Sequence, residues 1–194
     1  EKYMKKDIPL PAVTEEEKAA QPPAQKILRE ENIHVDHDSI VWKEDPSEEE
    51  LRRMRAYYYA NMTMIDEKIG EIIATLDKKG YLDNTIIVFT SDHGDFAGEY
   101  GLMRKGPGVP EVLTRIPLIA CGPGVAPRSA PNPAHVSLVD ILPTLCAAAD
   151  VSAPRGVQGR DLSALLAGRD DPQRYSSILV EQGFGGSPYV GGEP

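Results

Sequence analysis

Apolar residues along the chain follow two kinds of pattern. Within "PSEEELRRMRAYYYANMTMIDEKIGEIIATLDKKG" the positions Ile65, Ile69, Ile72, Ile73 and Leu76 recur at helical spacing, which predicts a long helix with one buried face. Pro46, Ser47 and the acids Glu48 to Glu50 mark its start, because a serine caps free amides and carboxylates suit the positive helix end. Gly80 predicts a left-handed cap at the other end. The second pattern is the uninterrupted run. "TIIVFT" carries no charge and predicts a strand buried on both faces, hence parallel to its neighbours. "IPLIACGPG" (Ile116 to Gly124) and "SSILVEQG" (Ser176 to Gly183) predict two more strands. "SLVDILPTLCAAAD" predicts a helix capped by Ser137 with Asp140 three residues on, kinked or reset at Pro143; "GRDLSALLAG" predicts a short one ending at Gly168. Strands alternating with helices predict an α/β fold, a mostly parallel sheet flanked by helices with right-handed crossovers.

Before Ser47 no period is sustained. Residues 1–46 are rich in proline and charge ("IPLPAVTEEEKAAQPPAQ"), which predicts an extended segment with at most a short helix, wrapping another part of the protein. Within it "HVDHD" has metal-ligand residue types, but the spacing of His34, Asp36, His37 and Asp38 fits no closed site and reads as a solvated loop. Composition narrows the function classes. A formal charge of -9 over 194 residues argues against a nucleic-acid partner, since phosphate backbones demand clustered Lys and Arg. No run approaches the roughly eighteen uncharged apolar residues of a membrane span, and "EKYMKKDIPLP" lacks the apolar core of a signal peptide, so a soluble chain is expected. Compartment is left open. Cys121 and Cys146 lie in apolar surroundings and predict two buried reduced thiols. Asn61-Met62-Thr63 matches a glycosylation pattern inside the long helix and reads as a chance match.

The chemistry gathers where the first strand breaks into "SDHGD". In open α/β sheets the ligand crevice lies beyond the carboxyl ends of the strands. Asp92 offers a hard, charged oxygen and His93 an imidazole nitrogen, and Gly94 permits the turn that lets both face one ion. Two ligands do not complete a metal site, which wants four or more donors. The competing reading is an aspartate capping the next turn beside a packed histidine. Thirteen residues after Asp92, beyond "GDFAGEYGLMRKG", stands Lys105, either a clamp for an anionic substrate or a surface lysine.

Taken in order, "TIIVFTSDHGD..GEYGL..KG", "E...R.PLI..GPG" and "SLVDILPTL" resemble the C-terminal half of the catalytic core of the sulfatase family, in the alkaline phosphatase superfamily. "YYYANMTMIDEKIGEIIATLDKKGYLDNTIIVFT" resembles the family's helix and strand leading into the motif, so the resemblance covers roughly Leu51 to Gly168. Several ordered motifs are more specific than any one alone. The resemblance implies an alkaline-phosphatase-like fold, here incomplete, with residues 47–194 as the C-terminal part of the domain. It implies that Asp92 and His93 bind a divalent cation and that Lys105 is catalytic and substrate-binding, holding a sulfate oxygen or the leaving oxygen. Calcium leads, with manganese or zinc open on ligand type. The expected substrate is an anionic sulfate ester. The alternatives are a phosphonate or phosphate ester, as monoester or diester, or a non-catalytic binding fragment.

Two departures limit the resemblance. Many members have a G-x-H-G loop where this chain has "GEYG", with Tyr100 in the histidine's place. The family's nucleophile is a formylglycine made from the Cys or Ser of C/S-x-P-x-R, and no such motif occurs here. "CGPGV" has Val125 where arginine is required, which rules out Cys121, and "SAPRG" at Ser152 places its arginine one position early. The family's paired aspartates that complete the metal shell are also absent. Both are expected upstream of Glu1, in a missing N-terminal part that would be this chain's partner, and the apolar strands are expected to expose a sheet edge without it.

Overall fold

The computed structural model describes residues 2–31, 43, 46–106 and 108–182; "HVDHD" lies outside them. Eight elements follow one another: α1 (Glu15–Ala20), α2 (Pro23–Glu31), α3 (Glu48–Lys78), β1 (Ile87–Thr90), α4 (Glu111–Thr114), β2 (Leu118–Cys121), α5 (Ile141–Ala148) and α6 (Ser163–Leu166), with short 3-10 turns between some of them. The chain divides into two compact units. One holds residues 1–71, 93–116 and 181–194, the other residues 72–92 and 117–180.

The ends of α3 form as their residues dictate. The Ser47 N–H donates to the Glu50 carboxylate at 2.9 Å while the Glu50 N–H donates to Ser47 Oγ at 3.3 Å, a reciprocal cap. Lys43 adds an ammonium to the same carboxylate, and its hydrogen bond, followed by those from Ser47, lowers the Glu50 pKa from 4.5 to about 2. At the far end Gly80 is left-handed (φ 70°), and the Tyr81 and Gly80 amides close on the Leu76 and Asp77 carbonyls, each at 2.9 Å.

In the first unit the N-terminal residues are more ordered than their composition predicts. Thr14 and Glu17 form a second reciprocal cap that starts α1, and Pro23 opens α2, where its missing N–H costs nothing. Leu28 on α2 is fully buried with Phe96, Leu102 and Leu113, the core of this unit. Arg52 Nη1 donates to the Ile8 carbonyl and the Asp7 carboxylate, both at 2.9 Å, fastening the segment to α3.

In the second unit the sheet corrects the expectation. β1 and β2 pair antiparallel, Ile87 opposite Cys121 through Thr90 opposite Leu118, and they are the whole sheet among the described residues. A run apolar on both faces marks an interior strand, but large sheets are often mixed, so it does not fix the direction of the neighbour. Phe89 and Ile119 lie opposite one another and exposed; Cys121 is exposed too and Cys146 only half-buried, so neither is the buried thiol expected, and both are free. Residues 176–182 form no strand, with Leu179 78% exposed. The apolar face of α3 is covered only in part, Ile69, Ile73 and Leu76 being half-buried while Ile65 is 49% and Ile72 60% exposed.

The helical half of this unit behaves as expected with one amendment. A 3-10 turn over Leu138–Asp140 runs straight into α5, and Pro143 falls in the first turn of α5, where no amide is missed, so it neither kinks nor resets the helix. Asp140, 3% exposed, accepts the Ser137 N–H at 2.9 Å and the Arg160 N–H at 2.7 Å, with the Arg160 guanidinium 3.6 Å away. Thr144 Oγ1 donates to the Asp140 carbonyl at 2.6 Å and accepts the Leu162 N–H at 2.9 Å, leading into a core of Leu162, Leu165 and Tyr175. Gly168 closes α6 left-handed (φ 69°).

Asp140→Ala orphans two amides, so it is expected to lower stability by about 1 to 3 kcal/mol in urea titration; no change in midpoint would contradict the role given to this carboxylate. The Glu50 cap has a direction in pH. Its folded pKa is depressed, so its contribution is complete above about pH 4.5 and is lost as pH falls towards 2, and the protection factors of the first-turn amides of α3, exchange corrected for the intrinsic rate at each pH, are expected to fall across that window and at higher pH in Lys43→Ala.

Candidate active site

Beyond Thr90 the chain leaves β1 and enters the polar cluster, and the division between the two units falls between Asp92 and His93. Asp92 ends the second unit, exposed, with the Ser91 hydroxyl donating to its Oδ1 at 3.3 Å. The turn that follows is capped by Asp95, whose Oδ1 accepts the Ala97 N–H at 2.8 Å.

His93 and Lys105 lie together in the first unit. The loop between them is folded back by two main-chain rungs, Phe96 N–H to the Arg104 carbonyl at 2.7 Å and Gly98 N–H to the Leu102 carbonyl at 2.9 Å. Residues that flank such a ladder must meet. Lys105 Nζ stands 2.7 Å from His93 Nε2, and His93 Nδ1 stands 2.7 Å from the Gly94 carbonyl oxygen. A carbonyl only accepts, so Nδ1 carries the proton and Nε2 offers its lone pair to the ammonium. This is the tautomer of a metal-ligating histidine that donates its other N–H to a backbone carbonyl. Here the lysine cation takes the Nε2 lone pair. By donor chemistry, a carboxylate and an imidazole protonated on Nδ1 are ligand types that suit a divalent cation. Among the described residues, no three His, Cys, Asp or Glu side chains are grouped to hold a metal.

The loop is held under strain. Ala97 (φ 45°), Tyr100 (58°) and Arg104 (61°) are left-handed without being glycine, each at a cost of roughly 1 to 2 kcal/mol that surrounding bonds must offset. Beside the bond from the Ala97 N–H to Asp95 within the loop, two come from outside it. Arg55 on α3 donates from Nη1 to the Ala97 carbonyl at 2.8 Å, and the buried Gln21 donates its side-chain amide to the Tyr100 carbonyl. Phe96, fully buried, anchors the loop to the core and meets the Tyr100 ring edge-on at 6.2 Å. Arg55 and Gln21 went unread in the sequence. The one signal for Arg55 is its spacing from Arg52, which puts two arginines on one helix face, each reaching a distant carbonyl. Gly94 does more than permit a turn. Its N–H donates to the Leu113 carbonyl at 2.8 Å, and a Cβ there would lie 1.9 Å from the Val112 carbonyl oxygen.

Residues 11–151 match the family model described as Sulfatase. The chain is 39% identical over 137 residues to a choline-sulfatase of Rhizobium meliloti, 71% of this chain and 26% of that protein. It is 37% identical over 147 residues to arylsulfatase K of Xenopus laevis, 76% of this chain and 27% of that protein. Its structure is similar to that of a phosphonate monoester hydrolase from Silicibacter pomeroyi, with a TM-score of 0.73 and 28% identity over 85% of this chain and 33% of the other. The chain spans about a quarter of the length of the curated relatives it matches.

Because the Val112 carbonyl occupies the space of a Gly94 side chain, Gly94→Ala is expected to cost at least about 1 to 3 kcal/mol and to break the Gly94 to Leu113 bond. Faster exchange of the Gly94 amide alongside a lowered urea midpoint is the expected result, and wild-type values for both would refute it.

Proposed function

The chain belongs to the sulfatase family of the alkaline phosphatase superfamily, and from that premise we propose that it forms one wall of the active site of a sulfuric ester hydrolase. In this reading Asp92 and His93 hold a divalent cation, calcium first and manganese or zinc on ligand type, and Lys105 grips a sulfate oxygen or the leaving oxygen. The observation that supports it most is the His93–Lys105 pair, an imidazole protonated on Nδ1 whose Nε2 lone pair faces the Lys105 ammonium. The cation would supply concentrated positive charge where the ester's oxygens gather negative charge. Lys105 carries three donors on a flexible stem, so it can give up His93 Nε2 to a cation and take an anionic oxygen instead. Gly94 fixes the proton on Nδ1, which keeps Nε2 a donor of its lone pair throughout. The nucleophile, a formylglycine in this family, is assigned to a part of the domain other than these residues, since no C/S-x-P-x-R occurs among them.

A second reading has its own support. The similarity to a phosphonate monoester hydrolase favours a phosphonate or phosphate ester as substrate, and a lysine and a divalent cation serve either anion.

The 194-residue chain alone is expected to hydrolyse neither aryl sulfate nor phosphonate monoester above the buffer rate; turnover by the pure chain would overturn the assignment of the nucleophile. In an enzyme completed with the C/S-x-P-x-R part, Lys105→Ala is expected to lower kcat/KM for aryl sulfate by about 10²- to 10³-fold, the scale of losing one charge-stabilising donor. Full activity in that variant would exclude the role given to Lys105, and a higher kcat/KM for phosphonate monoester than for aryl sulfate would select the second reading.

A further inference from the structure

The strained loop raises a question that the site residues themselves do not answer, namely what keeps Lys105 on His93. Three of its residues sit in a region that favours glycine, and such a loop left to itself relaxes to right-handed backbone. Its two rungs cannot hold it alone, since they are ordinary main-chain bonds at its own base and tip. Arg55 differs in kind. Its side chain is 16% exposed, its Nη1 reaches the Ala97 carbonyl at 2.8 Å, and the Glu99 carboxylate lies 4.0 Å away. Its Nε is buried with no hydrogen-bond partner among the described residues. A guanidinium so far withdrawn from water, with one nitrogen unsatisfied, is retained for what its remaining donors hold, and what they hold is the carbonyl of a strained residue next to a rung.

We propose that Arg55 is a positioning residue for Lys105: by fixing the Ala97 carbonyl it keeps Ala97 left-handed, keeps the Phe96 to Arg104 rung in register, and so delivers the Lys105 ammonium to His93 Nε2. Gln21 does the same for Tyr100 from the N-terminal segment and shares the load without replacing it, because Tyr100 lies beyond the Gly98 to Leu102 rung at the tip, while Ala97 lies between the two rungs. The proposal rests on the reading of His93 and Lys105 as site residues.

The test needs no turnover, so its failure is distinguishable from a failure of the catalytic reading. Proton–nitrogen correlation spectra of the histidine side chains of the full 194-residue chain, at one fixed pH, are expected to show His93 protonated on Nδ1 with Nε2 accepting, and Lys105→Met identifies the part of the Nε2 signal that the lysine contributes. Arg55→Met keeps the apolar stem and removes the donors; it is expected to shift the His93 Nε2 signal to its position in Lys105→Met, and Arg55→Lys, which restores one donor to the Ala97 carbonyl, is expected to return it towards wild type. Circular dichroism verifies the fold first. Should Arg55→Met not fold, Ala97→Pro serves instead, since proline cannot adopt φ 45° and leaves α3 untouched, with Asp95→Ala as the control for the Ala97 N–H that proline also removes; a loss of the Lys105 contribution larger than in Asp95→Ala is expected. An unchanged His93 signal in folded Arg55→Met, a loss in Ala97→Pro no larger than in Asp95→Ala, or a loss in Arg55→Lys as large as in Arg55→Met would each overturn the proposal.

Discussion

Everything chemical in this chain depends on a ladder of two main-chain hydrogen bonds, Phe96 to Arg104 and Gly98 to Leu102. Twelve positions separate His93 from Lys105 in sequence, and only a loop folded back on itself makes them neighbours at 2.7 Å. The ladder in turn needs residues in left-handed backbone, and these need bonds from α3 and from the N-terminal segment to stay there. The buried ring of Phe96 and the aliphatic cluster around it supply the fixed floor. The order of dependence runs from the core to the loop to the hydrogen-bonded His93–Lys105 pair, so these polar groups are the last to be placed.

The same hierarchy explains what could be read from the residues. Caps are local and were legible: Ser47 with Glu50, Ser137 with Asp140, Gly80 and Gly168 all act where their residue types predict. The return of Lys105 beside the "SDHGD" cluster was legible too, because glycines and short spacing constrain a loop strongly. What could not be read is whatever depends on a distant partner. Nothing in "RRMRAYYYA" says which carbonyl Arg55 will reach, and an isolated glutamine in "AAQPPAQ" gives no sign that it will be buried against Tyr100. Strand direction failed for a related reason. A run of apolar residues reports burial on two sides, and β1 with β2 shows that an interior-type strand can take an antiparallel neighbour.

The exposed apolar positions follow the same logic. Ile65 and Ile72 on α3, and Phe89 opposite Ile119 across the two strands, lie where periodicity marks a packed face. Periodicity records what an element is shaped to pack against, and a chain that spans about a quarter of the length of its curated relatives need not contain it. In a fold assembled from sequence-distant layers, amphipathic pattern and observed exposure therefore carry different information, and the difference between them maps surface built for contact.

Tyr100 stands where many family members have a histidine, in left-handed backbone with its carbonyl bonded to Gln21 and its ring edge on Phe96. The position is thus held by its peptide oxygen as well as by its ring. A bond to the main chain acts through a group that every residue carries, so the grip of Gln21 on this turn does not itself depend on which side chain stands at position 100.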